Sequence, residues 1–230
     1  MQINTNRIPS LILALGIPGG AYCVFGKPYK AIMVPFLGLV WVCVFSGLRW
    51  VVTPEGFTIM LVGLLTLHGA SWVAGWMLQR ENTKVTPAWR RGLMLLVLVL
   101  INGGMIISCH TYKSQWFGFD LYQIPSDSMH PTLQRGDIVM VNTWAYDTAS
   151  PTIKDILIIK RSASGMALAK RLTRIRTAVA GTELFLEDDN PNRSVDSRRF
   201  GWVTDTYLIG KVEFVWFSFV EPRRVLRSID

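Results

Sequence analysis

The chain has 230 residues, half of them hydrophobic, and a formal net charge of +8. With a mean hydropathy of +0.30 it is too apolar for an ordinary soluble domain of this size, which points to membrane segments. A pI near 9.7 would also suit nucleic acid, but no basic stripe with interleaved aromatics is present, so no nucleic-acid partner is expected.

Ile8–Phe25 is apolar but contains Pro18-Gly19-Gly20, so it either spans a bilayer or forms a short re-entrant helix. Ala31–Leu48, Phe57–Leu78 and Leu93–Cys109 are each long enough to span. Because further apolar segments follow at once, the first stretch does not read as a cleavable leader. The predicted membrane region is therefore 1–112, with three or four helices at about 8–25, 31–48, 57–78 and 93–109. Nine Lys/Arg but only three Asp/Glu fall in residues 1–125. Arg80, Lys84, Arg90 and Arg91 crowd one loop, which the positive-inside rule assigns to the cytoplasm. Everything after Tyr112 is then extracytoplasmic. Lys27 and Lys30 agree with this orientation; Arg7 and Arg49 agree less well. Cys23, Cys43 and Cys109 lie in or beside apolar segments, with no metal-type spacing.

Beyond Asp137 the pattern changes. Ile138–Val141, Ile156–Ile159, Ala167–Leu172, Leu184–Leu186 and Tyr207–Phe219 are rich in branched or aromatic residues and separated by turn-formers. That predicts an antiparallel, mostly-β domain over 113–230, large enough for one core. Trp116, Phe117, Phe119 and Tyr122 suit either a membrane-interface belt or the β core.

The candidate chemistry sits where the apolar segments end, in Ile124-Pro125-Ser126-Asp127-Ser128-Met129-His130-Pro131-Thr132-Leu133. Pro125 and Pro131 exclude a helix interior. Ser126 and Ser128, at i and i+2, would point the same way in an extended chain. A serine nucleophile needs a base. Lys170 is the candidate, in Ala167-Leu168-Ala169-Lys170-Arg171-Leu172. A lysine acts as a base only when neutral, so its site should be apolar and poor in carboxylates, with Leu168 and Leu172 on its face of a strand. His130 is a rival base. So close in sequence to Ser128, it would lie alongside the serine rather than at its hydroxyl.

Four blocks resemble the bacterial type I signal peptidases, membrane-bound Ser/Lys proteases: Pro125–Leu133, Arg135–Val141, Ala169–Arg171 and Asp189–Arg198. They run over roughly residues 124–218 together. The resemblance implies N-terminal transmembrane helices followed by a signal-peptidase-like β domain. Only a short segment separates Lys170 from Asp189, so no large inserted subdomain is expected. The resemblance makes Ser128 the nucleophile and Lys170 the general base. The Ser126 side chain and the Ser128 N–H would form the oxyanion hole. Ser194 would orient the lysine, Asp196 and Arg198, at i and i+2 and so able to share a face of a strand, would pair and support the site, and Met129 would help shape pockets for small substrate side chains. It implies no metal and no cofactor. The partners would be signal peptides of exported preproteins and the lipid bilayer. The location would be the inner (plasma) membrane, multi-pass, with the catalytic domain on the periplasmic or extracytoplasmic face. A dedicated peptidase for pilin-like or secretion-system subunits, and a non-enzymatic membrane scaffold of the same fold, stay open as alternatives. Two departures stand out. Arg174-Ile175-Arg176-Thr177-Ala178 replaces the family's Gly-x-Pro-Gly-Asp turn after the lysine. Asp188 stands where the late block usually opens with glycine, and Pro191 replaces a polar residue.

Overall fold

The computed structural model describes residues 16–78, 87–160, 167–179, 181–191 and 195–229. The chain divides into two compact units. One holds the described residues up to Leu48 together with Phe57–Tyr112; the other holds Arg49–Gly56 and the described residues from Lys113 onward.

The first unit is helical. Its elements are α1 (Gly20–Val24), α2 (Pro28–Gly47), α3 (Pro54–Leu78) and most of α4 (Ala88–Trp116). The last three are long and apolar enough to cross a membrane. They carry many exposed large apolar residues, among them Leu65, Leu100 and Ile107. Such surface is unfavourable in water and suits hydrocarbon, where a helix satisfies every backbone group internally. Close packing of α2 on α3 uses a small residue. The Trp41 indole donates to the Met60 carbonyl at 3.1 Å, and a Cβ at Gly63 would meet that ring within 2.6 Å. Of the expected first span, Ile8–Leu15 lies outside the described residues.

The second unit is an antiparallel sheet of eight strands. These are β1 (Phe119–Gln123), β2 (Asp137–Asn142), β3 (Ile156–Lys160), β4 (Ala167–Ala178), β5 (Gly181–Glu187), β6 (Val203–Thr204), β7 (Leu208–Ser218) and β8 (Arg227–Ser228). Their order is β1-β2-β7-β3-β4-β5-β6, with β8 added to β7. The architecture expected from sequence, apolar helices followed by an antiparallel β domain, is therefore observed. Three strands were not anticipated: β1, where aromatics alternate with Asp120 and Gln123, and the two-residue β6 and β8.

Period-two alternation builds two cores across this sheet. Ile156 and Ile158 join Ile124, Met129, Leu133, Val139, Val141, Val212 and Val215 on one face. Leu157 and Ile159 join Leu172, Leu184 and Leu186 on the other. β3 is thus apolar on both sides, which is why Ile156–Ile159 reads as a continuous apolar run. The aromatics before the Ser128 segment divide: Phe117 is buried, and Trp116 is exposed.

Two short pieces fix how the chain enters the sheet. Gly118, at φ +72, turns the end of α4 into β1, and a Cβ there would sit 2.4 Å from the Trp144 ring. Residues Arg49–Gly56, between α2 and α3, belong to the same unit. Their 3-10 turn Trp50–Val52 buries Val51 and Val52. Arg49 donates to the Trp144 carbonyl at 2.7 Å and lies over its ring. Arg49 thus has a structural partner within this unit.

Phe214 is fully buried on β7, which pairs with β2, β3 and β8. Phe214→Ala is expected to destabilise the β domain by about 3–5 kcal/mol, read from the denaturation midpoint of the detergent-solubilised protein by near-UV circular dichroism.

Candidate active site

The turn that carries Ser126 and Ser128 is pinned at its base. Ile124 N–H donates to the Asp137 carbonyl at 2.8 Å, and Gly136 N–H donates to the Ile124 carbonyl at 2.9 Å. Inside the loop, Met129 and Leu133 are buried and anchor it to the core. Its inner polar groups are satisfied by a buried ion pair. The Asp137 carboxylate accepts from Gln134 N–H at 2.9 Å and from the Arg224 guanidinium at 2.8 Å. Arg224 also donates to the Thr132 carbonyl at 2.6 Å. A buried charge needs such pairing. With the loop held this way, Ser126 is exposed and Ser128 half-buried. Their hydroxyls lie 3.4 Å apart. His130 is exposed at the rim of the turn.

β4 supplies Lys170 and β5 runs beside it. Leu172 pairs with Leu186, and Arg171 with Glu187. One step further along the antiparallel ladder, Asp188 faces Lys170. The ammonium nitrogen lies 2.6 and 2.5 Å from the two Asp188 oxygens, and the side chains are 5% and 0% exposed. Among the described residues, the lysine's hydrogen bonds go to Asp188 and not to Ser128. The expectation of a carboxylate-poor site is therefore corrected. Leu172 is buried and Leu168 packs against the same cluster, but the hairpin register brings a carboxylate into their row.

Three consecutive residues after β5 tie the lysine strand to the Ser128 turn. Asp188 takes Lys170. Asp189 binds Arg171 through Nε at 2.7 Å and Nη2 at 2.8 Å, and accepts from Thr132 Oγ1 at 2.6 Å. Asn190 N–H donates to the Ser128 carbonyl at 2.8 Å, and its side-chain amide donates to the Asp127 carbonyl at 3.2 Å. Burial alone would raise the Asp189 carboxyl, but Arg171 and Thr132 outweigh it and hold it below the usual carboxylate value. The same pairing, set against partial burial, pushes the Arg171 guanidinium up.

The remaining predicted site residues fall as follows. Asp196 and Arg198 meet, but not as neighbours on one strand face. Asp196 caps the short helix α5 (Ser197–Phe200), and its carboxylate accepts from the Arg198 backbone and guanidinium. A helix N-cap draws an aspartate because free N–H groups point at it. Asp196 also accepts the Asp188 N–H at 3.0 Å. Met129 is a core residue. Ser194 lies outside the described residues. Among the described residues no group of three or more His, Cys, Asp or Glu is arranged to hold a metal. The lysine's carboxylate partner was missed because its role needs the β4–β5 register, and the register shift between Leu172 and Arg174 defeats a simple count back from the turn at Gly181.

The family model described as signal peptidase, peptidase S26, matches residues 93–175 and 169–217, more than half of the chain. The chain belongs to this family. A comparison with curated proteins finds no match. Membership in the S26 signal peptidases makes the protein a serine peptidase. The first departure, Arg174–Ala178, is part of a strand. β4 continues to Ala178 and pairs with β5 to the end. Arg176 bonds Glu183 at 2.5 Å, and Arg174 lies over the Phe185 ring at 3.7 Å. The hairpin is thus long and charged.

The tie between Asp189 and Arg171 has a pH signature. A carboxyl depressed in the fold adds stability that is fully present above its unfolded value of about 3.9 and is lost as pH falls through the folded value. Asp189→Asn is expected to lower stability by about 1–3 kcal/mol at pH 7. The difference from the parent should close as pH falls below about 4, measured by denaturant titration at both pH values.

Proposed function

We propose that this S26 peptidase is a multi-pass membrane serine endopeptidase that removes signal peptides from exported preproteins, cutting after small residues, with Ser128 and Lys170 as its dyad. The observation that carries the reading is the Asp188–Asn190 tie, which holds the lysine strand and the Ser128 turn against each other although they are far apart in sequence.

In this mechanism Ser128 Oγ attacks the carbonyl of the scissile bond while Lys170, as the free amine, takes its proton. The Ser126 hydroxyl, close to Ser128 Oγ, and the Ser128 N–H donate to the oxyanion. Preorganised donors of this kind contribute roughly 3–4 kcal/mol to the transition state. Lys170 passes its proton to the leaving amine, an acyl-enzyme remains, and water activated by Lys170 releases it. Asp196 and Arg198 support the loop carrying Asp188, and buried Met129 underlies the pockets. Ser194 is assigned to orienting the amine.

The orientation follows from chain continuity and charge. Arg49–Gly56 belongs to the compact unit that holds the β domain. If α3 and α4 span, the loop with Arg80, Lys84, Arg90 and Arg91 is on the opposite side, where its charge favours the cytoplasm. The catalytic domain then faces the periplasm or cell exterior.

Ser128→Ala and Lys170→Ala should each abolish cleavage of a preprotein in a gel assay with the protein still folded and inserted. The double variant should be no worse than either single, because the pair acts as a unit. Turnover by Lys170→Ala would transfer the base to His130. For orientation, in a background without native cysteines, Thr182→Cys should react with a membrane-impermeant thiol reagent in intact cells, and Thr83→Cys should react only after lysis. The reverse pattern would place the β domain in the cytoplasm.

A further inference from the structure

The ion pair between Lys170 and Asp188 conflicts with the work a general base must do. Both Asp188 oxygens lie within hydrogen-bond reach of the amine nitrogen, and neither side chain is meaningfully exposed. A carboxylate in that position stabilises the ammonium, whereas removing the serine proton needs the free amine. We propose that Asp188 is a positioning residue that holds Lys170 as the ammonium in the resting enzyme and thereby sets the pH at which the peptidase becomes active. The proposal rests on the assignment of Lys170 as the base.

The surroundings leave Asp188 as the charge that decides the lysine's state. On the following segment Asp196 receives the Asp188 N–H, and it is itself neutralised by Arg198. On β4 and the turn, Arg171 is taken by Asp189. Glu187, next to Asp188, lies 3.8 Å from Arg174. Asp155, just before β3, is paired with Lys211 of β7, and Lys160, at the end of β3, is exposed. In the nucleophile turn Asp127 accepts the Arg135 N–H, and His130 is exposed.

The backbone supports the same role. The N–H of Asp188 is fixed by Asp196, and the next two residues are fixed by Arg171, Thr132 and the Ser128 carbonyl. The backbone beneath the Asp188 carboxylate is therefore held in place by the same contacts that hold the Ser128 turn. Release of the amine is assigned to loss of its proton. No covalent step is added: one proton leaves the Lys170 ammonium to solvent, and the resulting amine takes the serine proton.

The test compares the parent with Asp188→Asn, which keeps shape and one acceptor, and Asp188→Ser, which keeps a smaller one. The acidic limb of kcat/KM against pH, on a preprotein substrate, should move to lower pH by about one unit or more in both variants. The same shift should appear when the Lys170 side-chain nitrogen is titrated by 15N NMR in the Ser128→Ala protein, with and without the Asp188 substitution. That readout needs no turnover, so it stands even where a variant loses activity. A limb and a nitrogen titration that stay in place in a folded Asp188→Asn protein would overturn the proposal and leave Asp188 a structural ion-pair partner. If Lys170→Ala still turns over with an unchanged acidic limb, it is the assignment of the base that fails. The nitrogen titration then reports on Asp188 by itself.

Discussion

The register of β4 against β5, with Leu172 opposite Leu186 and Arg171 opposite Glu187, is the constraint on which the site depends. It stacks Leu184, Leu186 and Asp188 along one face of β5 and its extension, and Leu172 and Lys170 along the facing row of β4. The apolar part of that row is buried in a core shared with β3. A slip of one residue would turn Leu184 and Leu186 out of that core and Asp188 away from the lysine. Core packing and the state of the candidate base are thus set by the same choice. The long hairpin reinforces it with Arg176–Glu183 across the strands and Arg174 over Phe185. Each surface contact is individually worth little.

Much of this architecture could be read from the sequence because its signals are local. Long apolar helices announce themselves by length, and β2, β3 and β7 by branched residues between turn-formers. β1 was not legible. Its five residues mix aromatics with Asp120 and Gln123, and they become a strand only because β2 offers an edge in register, Tyr122 opposite Val139. The second half of β4 was hidden for a related reason. Arg174, Arg176 and Ala178 have no strong strand preference, and it is pairing with β5 that extends them. At the site, the Ser128 turn was legible through its prolines and its glycine-aspartate exit. The Asp196–Arg198 contact was anticipated on the wrong element, since a helix of four residues leaves no periodic trace. The environment of Lys170 was misjudged because neighbours in sequence reported only its own strand, whereas the deciding group comes from across the hairpin.

The segment Arg49–Gly56 shows how a membrane chain can place a charge against the local rule. Arg49 follows α2 directly, and in the proposed orientation it lies on the outer side, where a cation is disfavoured. Its guanidinium is bound to the Trp144 carbonyl and lies over the Trp144 ring, so its cost is offset within the β unit. Trp144 in turn fills the space that Gly118 leaves open at the end of α4. One aromatic residue therefore contacts both the link between α2 and α3 and the turn that delivers the chain into β1. From there it is a few residues to the serine.

Lys170 and Asp188 have to be treated as one buried unit when substitutions are interpreted. Removing a single partner from a desolvated pair leaves the other charge uncompensated, at a cost of roughly 3–5 kcal/mol in typical cases. The loss in a Lys170→Ala protein thus combines two effects, the missing amine and an orphaned carboxylate inside the core beside Leu186. The chain that carries the orphaned carboxylate runs on into Asp189 and Asn190, which bind Thr132 and the Ser128 carbonyl. A Lys170→Ala, Asp188→Asn protein removes both charges while keeping the hairpin's shape. If it recovers stability but not turnover, the lost turnover belongs to the amine itself, because the nucleophile turn no longer bears the strain of an unpaired charge. That comparison separates the chemistry of the base from the electrostatics that surround it, which neither single substitution can do.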